Sequence, residues 1–251
     1  MLASPPDRPL LRCVRAEFAK LRGSLALVLC IIAPATVAVL MALIFNRHGG
    51  GDTPWRMYLL GNAATWAYFM LPMTVTALTV LAAQMEHGPR LWSHLLALPI
   101  PRRHIFFAKA CAVMLLCAGM TALLALLAPL LGYVSDAVTP GRALTGPIAW
   151  SELLGVLSRI YASAWLLVSI QLWAALRWRS FVPPLALGIG GTFVAVAATG
   201  SELGPYFPWL IPTNALATDP ASADIALAMG IVGGALCTAA MAIDLARRPL
   251  G

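Results

Sequence analysis

Four histidines, ten carboxylates and five cysteines are the side chains of this 251-residue sequence that could hold a metal, move a proton or attack a substrate. Glu86, His87 and His94 form the closest grouping and could in principle ligate a metal, but their spacing specifies no closed ligand set. A solvated or interfacial cluster is the expectation, with no metal. The cysteines (Cys13, Cys30, Cys111, Cys117, Cys237) include no CxxC pair, and all but Cys13 sit in apolar runs, so they read as small apolar residues. No GxxxxGK[ST] phosphate loop occurs, and the GIGG segment at Gly188–Gly191 lacks the Lys and Ser/Thr that would have to follow it. HExxH and GxSxG are also absent. The sequence therefore predicts no catalytic residue and no cofactor bound by the chain itself.

Ionisable groups inside apolar runs are few. Arg159 lies seven residues after Glu152, on the same helical face, and the two are expected to form a local ion pair; Asp244 precedes Arg247 and Arg248 at pairing distance. Asn62, Gln171, Thr65, Thr74, Thr76 and Thr79 either hydrogen-bond between helices or line a cavity. No carboxylate stands in the middle of an apolar run, which argues against an ion-driven carrier.

The elements that must position these groups are membrane helices. Hydrophobic residues make up 60% of the chain and charged residues 11%, with a mean hydropathy of +0.82, more apolar surface than a soluble domain could hide. Apolar runs at 24–45, 58–83, 105–134, 153–175, 181–199 and 223–243 predict an all-α integral membrane protein of six spans, the fifth being the shortest. Pro34, Pro72 and Pro129 fall inside spans and are expected to kink them. Ahead of the spans, residues 1–23 form an amphipathic interfacial segment. Leu10, Leu11, Val14, Phe18 and Leu21 face one way, Arg12, Arg15, Lys20 and Arg22 surround them, and Gly23 ends the helix. The apolar run that follows is a full span with no clear cleavage site, so a signal peptide is not expected.

Thirteen of the seventeen basic residues fall in the first tail, the second and fourth connections and the last tail; Arg47, Arg56, Arg142 and Arg159 fall on the other side. The positive-inside rule then places both termini in the cytoplasm, consistent with six spans. The net charge of +7 reads as topology and lipid headgroup contact, since no soluble platform is left to bind nucleic acid. The connections at 46–57 and 135–151 read as plain turns. The 200–222 connection carries four prolines and the aromatics Tyr206, Phe207 and Trp209, either an interfacial belt or an external gate.

The second connection stands apart. From Gln84 to Lys109 the sequence is polar and basic, and Leu91, Trp92, Leu95, Leu96 and Leu98 fall on one side of a short helix whose other side holds Arg90, Ser93 and His94. Pro99 and Pro101 stop that helix before Arg102 and Arg103. Such a helix must lie flat on a surface.

The spacing of Glu86, Trp92, Leu95, Leu96, Leu98, Pro99, Arg102, Ile105 and Lys109, with AEFAK at Ala16–Lys20 and YFPWLIP at Tyr206–Pro212, resembles the type-2 permeases of ATP-binding-cassette transporters, nearest the bacteriocin and lantibiotic export or immunity permeases. The resemblance implies a multi-pass subunit of a bacterial cytoplasmic membrane, paired with a second copy or a related permease and with two cytoplasmic ATPases that bind ATP and Mg. It implies that 84–104 is a coupling helix docked on an ATPase, with Glu86, Arg90, Trp92, Leu95, Leu96, Pro99, Arg102 and Arg103 as its working residues. It also implies that the N-terminal helix floats at the membrane surface beside the ATPase, and that the cargo is an amphipathic molecule such as a peptide antibiotic. The same fold carrying a lipid, a lipid-linked glycan or a maturation factor stays open, as does a non-transport scaffold whose polar stretch recruits a soluble partner.

Overall fold

The computed structural model describes residues 9–47, 51–87, 101–138 and 143–247, and these are mostly helical. Helix α1 (Pro9–Leu21) starts on a proline, whose missing N–H is no loss in a first turn, and Gly23, at φ +73°, reverses the chain behind it. Helix α2 (Leu25–Arg47) follows. A second rod joins α3 (Trp55–Thr65) to α4 (Leu71–His87) through a π turn at Trp66–Met70. Pro72 lies just past that turn, and the widened turn relieves the clash between its ring and the preceding carbonyls. Helix α5 (Arg102–Val138) has 37 residues and takes Pro129 into its length; Pro34 likewise sits inside α2.

The fourth rod is α6 (Trp150–Ser163) and α7 (Trp165–Arg177), interrupted at Ala164. Helix α8 (Val182–Ala198) and a short turn of helix α9 (Ile211–Asn214) precede the last rod, in which α10 (Pro220–Ala228) and α11 (Gly234–Arg247) flank a second π turn at Met229–Gly233.

Five rods are long and apolar enough to cross a bilayer: Leu25–Arg47, Trp55–Met85, Arg102–Val138, Trp150–Arg177 and Pro220–Arg247. The run at 181–199 does form a helix, yet the 17 residues of α8 rise only about 25 Å, short of the ~30 Å of hydrocarbon. The protein is thus a multi-pass membrane protein, with five such helices where the sequence predicts six. Helix α5, at roughly 55 Å, exceeds the hydrocarbon and must project beyond it or tilt.

Two close approaches lock the rods together. A side chain on Gly188 of α8 would collide with Thr76 of α4, and one on Gly230 would collide with the backbone of Ser163 at the break in the fourth rod. Gly230 and Gly234 form a GxxxG pair, the small-residue spacing that lets membrane helices approach to backbone contact. Hydroxyls reinforce that seam: Ser169 and Thr238 share a hydrogen bond at 2.8 Å, and the Trp165 indole donates to Thr238 at 3.2 Å. The threonines at 65, 74, 76 and 79, by contrast, donate to carbonyls one turn back in their own helix, and so does Asn62; Thr65 also reaches the Met41 sulfur of α2 at 3.8 Å. Gln171 joins helices, its amide donating to the Pro184 carbonyl at 2.6 Å.

The two ends of the bundle differ. At one, the connections after α2 and α5 are not plain turns: Thr53–Pro54 (β1) pairs in parallel with Leu144–Thr145 (β2), and Asp52 and Asp136 accept from the backbone N–H groups of Ala143 and Leu144. Glu152 at this end pairs with Arg56 at 2.7 Å, not with Arg159 as its spacing suggests, because the rod ends bring Arg56 alongside it. The other end gathers α1, Gln84, the start of α5, Arg177 and Asp244. Here the Gln84 amide donates to the Arg179 carbonyl at 3.3 Å, and Asp244 accepts from Trp173 at 3.0 Å and Arg177 at 3.2 Å across the helices.

Candidate functional site

The second end holds the one strongly enclosed ionic cluster among the described residues. The amphipathic pattern of α1 turns Phe18 and Leu21 inward against the bundle and leaves Arg12 and Arg15 exposed. Glu17 lies on that inward side, between Val14 and Leu21, and is 6% exposed. Helix α5 meets it with a buried face that includes Ile105, Phe106 and Lys109.

The Lys109 ammonium, at 1% exposure, donates to Glu17 Oε2 at 2.6 Å and to the Ala82 carbonyl of α4 at 3.5 Å; Lys20 donates to Glu17 Oε1 at 2.6 Å. One carboxylate therefore joins two cations, and three helices converge on one knot. Burial pushes the Glu17 carboxyl up, but the charges and hydrogen bonds of Lys109 and Lys20 outweigh it and hold the carboxyl below its ordinary range. The group stays ionised at neutral pH.

Ion pairs taken out of water gain little net stability, but removing one partner strands the other, so such a pair fixes geometry more than it adds strength. The amphipathic helix packs on the bundle. It is pinned to the base of α5, immediately after the polar stretch. Sequence reasoning overlooked Glu17 as a working residue, although a carboxylate on the apolar face of an otherwise basic helix was the available signal.

Of the residues assigned to the polar stretch, Arg102 and Arg103 stand exposed in the first turn of α5, and Gln84 to His87 close α4 as regular helix. Glu86 belongs to that last turn by its backbone; Arg90, Trp92, Leu95, Leu96 and Pro99 lie outside the described residues. In the 200–222 connection, Trp209 is buried against Gly191, which has no side chain in its way, and stacks on Phe207 at a centroid distance of 5.6 Å, while Tyr206 is exposed. The three aromatics thus divide between core and surface. No group of three metal-capable side chains occurs among the described residues. The site offers no acid, base or nucleophile poised over a cavity; it can transmit force between helices.

Residues 13–195 match the family model described as ABC-2 family transporter protein, a span that starts within α1, takes in Glu17 and Lys109, and reaches nearly to the end of α8. No curated protein and no solved structure matches the chain. With that match covering most of the sequence and with several membrane-crossing helices, the chain belongs to the ABC-2 family of transporter proteins, as a membrane permease that works with an ATP-binding subunit.

Proposed function

We propose that this chain is the permease half of a bacterial exporter that moves an amphipathic molecule, such as a peptide antibiotic, across or out of the cytoplasmic membrane. In this reading the chain crosses six times with both termini in the cytoplasm, α8 completing its short crossing with the help of flanking residues or local thinning of the bilayer. Two such permeases, identical or related, assemble with two cytoplasmic ATPases that bind ATP and Mg. The 84–104 stretch rests on an ATPase, with Glu86, Arg90, Trp92, Leu95 and Leu96 at the contact, Pro99, Arg102 and Arg103 leading into α5, and Arg12 and Arg15 on lipid headgroups. Tyr206, at the opposite end, is the exposed member of an external gate built on the Phe207–Trp209 stack.

The observation that carries this reading is the Glu17–Lys109 pair. A conformational change in an ATPase can move the spans only through a rigid docked element. The pair, reaching also to Ala82, ties α1 to α4 and α5, the helices that precede and follow the 84–104 stretch along the chain. A push on that stretch is then delivered to three helices at once.

Co-purification of the chain with its ATPase is the direct test. Glu86→Ala and Trp92→Ala should each lower ATPase association or substrate-stimulated hydrolysis while membrane insertion stays intact. Unchanged association and hydrolysis in both variants would remove the coupling assignment. Recovery of a soluble partner that hydrolyses no ATP would favour a scaffold instead.

A further inference from the structure

Three of the membrane-crossing rods are interrupted, and the interruptions lie at one level. On the side of the bundle that carries β1 and β2, the outer halves of these rods are α3 with 11 residues, α6 with 14 and α10 with 9. At about 1.5 Å per residue, the π turn at Trp66–Met70, the break at Ala164 and the π turn at Met229–Gly233 begin roughly 14–21 Å from that end, near the middle of the ~30 Å of hydrocarbon. Helices α2 and α5 each run through as a single helix, despite Pro34 and Pro129. A π turn is one of the few places at which a helix kinks sharply.

The short helix α9 sits among the three. It packs against both π turns, against α6 and against α10, and Ile211 and Pro212 are buried there. Gly230, inside the second π turn, meets the Ser163 backbone beside the break in the fourth rod, so these two interruptions touch. Tyr68, inside the first π turn, shares a hydrogen bond at 2.9 Å with Thr199, the residue that closes α8. The chain beyond α8 then turns back, and Trp209 lies against Gly191 well before the end of that helix. No hydrogen bond among the described residues fastens α9 to the rods. The N–H groups of Leu210 and Ile211 donate to the Phe207 carbonyl, that of Asn214 to Leu210, and the Asn214 side-chain amide to Gly204 at 3.4 Å, all within the 200–222 connection. Apolar packing holds α9 in place, so it can withdraw as a unit without breaking a hydrogen bond to a rod.

We propose that α9 is a clasp for the outer halves of three rods, and that the two π turns and the break at Ala164 are the hinges on which α3, α6 and α10 part when the clasp withdraws. Ile211 joins the three outer halves while it is buried between them; once it leaves, each half is free to swing about its own interruption while α4, α7 and α11 stay packed. The clasp serves the external gate of the proposed function and rests on that reading for its role. Its test reads rod positions in the chain alone, so failure here would leave ATPase-driven transport standing, and loss of the ATPase assignment would not change the result expected.

The test is labelling of single cysteines by a membrane-impermeant maleimide, in the full-length chain in lipid nanodiscs with its five native cysteines replaced by alanine; none of the five lies in the clasp or at a hinge. Ala215→Cys, just behind the clasp, Ala63→Cys in α3 and Ala223→Cys in α10 all replace buried residues and should be labelled slowly, at a common rate, while the chain stays folded. Val75→Cys in α4 and Ala242→Cys in α11, also buried but on the inner side of the hinges, should stay unlabelled. Ile211→Ala, which shrinks the clasp, should speed labelling of the first three about tenfold or more and leave the other two unlabelled. Deleting Phe69, which takes one residue out of the first π turn, should slow labelling of Ala63→Cys. Labelling of Ala215→Cys without Ala63→Cys and Ala223→Cys would overturn the hinges. Labelling of no position, or of inner and outer positions at one rate, would overturn both clasp and hinges. An unchanged rate at Ala63→Cys in a chain that lacks Phe69 and keeps its thermal midpoint would overturn the first hinge; if that chain does not fold, the contrast between outer and inner positions decides.

Discussion

Glu17–Lys109 and Arg56–Glu152 are ion pairs of nearly equal length, 2.6 and 2.7 Å, at opposite ends of the same bundle. Their side chains are 7% and 1% exposed in the first case and 66% and 36% in the second. Distance alone would rank them together; burial separates them. In the exposed pair, water competes for both charges and the attraction is screened. In the buried pair neither charge can recover its hydration if the other leaves, so the two helices that carry them must move together. A short contact is a mechanical link only where solvent cannot replace one of its partners.

The comparison is broken most severely by Glu17→Leu, which strips Lys109 and Lys20 of their shared carboxylate. The expected loss is about 3–5 kcal/mol, read as a lower thermal midpoint of the purified chain. Lys109→Met should lose somewhat less, about 3 kcal/mol, since Lys20 stays on Glu17 at 2.6 Å. The double variant Glu17→Leu/Lys109→Met should recover much of the midpoint, because an apolar pair of similar volume restores burial without charge. It should nevertheless transport poorly if the ionic link, rather than stability, is what matters; a double variant no more stable than either single one would show that the two side chains do not act as a pair.

Acidification sharpens the same contrast. Because the folded Glu17 carboxyl is held below its ordinary value, its contribution is complete above that value and is lost as pH falls through the lowered folded one. Thermal midpoints measured from neutral pH down to about pH 3 should therefore fall more steeply in the wild type than in the double variant; parallel curves would contradict this. Arg56→Gln is the smallest effect: no measurable change in midpoint is expected, since its charge is already solvated.

Much of the architecture was legible because it is written locally. Hydropathy places the rods within a few residues, as with 24–45 and Leu25–Arg47, and period alone marks α1, with Gly23 as its stop. The fifth run shows the limit: composition extends it over 181–199, but the helix it forms covers 17 residues, with Pro183 and Pro184 taken into its first turn. The polar stretch at 84–104 was conspicuous for the same local reason, whereas the knot beside it was not. The GxxxG pair at Gly230 and Gly234 could have been found by its spacing, yet which backbone it faces could not.

By itself, then, the sequence determined a helical membrane protein with an amphipathic first helix, since composition and period depend only on neighbours along the chain. Tertiary structure decided the partners. Glu17 meets Lys109 across 92 positions, and Glu152 meets Arg56 across 96 instead of Arg159 across seven. Local spacing tells which side chains could reach one another. Only the packing of distant rods, with the high cost of leaving a buried charge alone, settles which ones do.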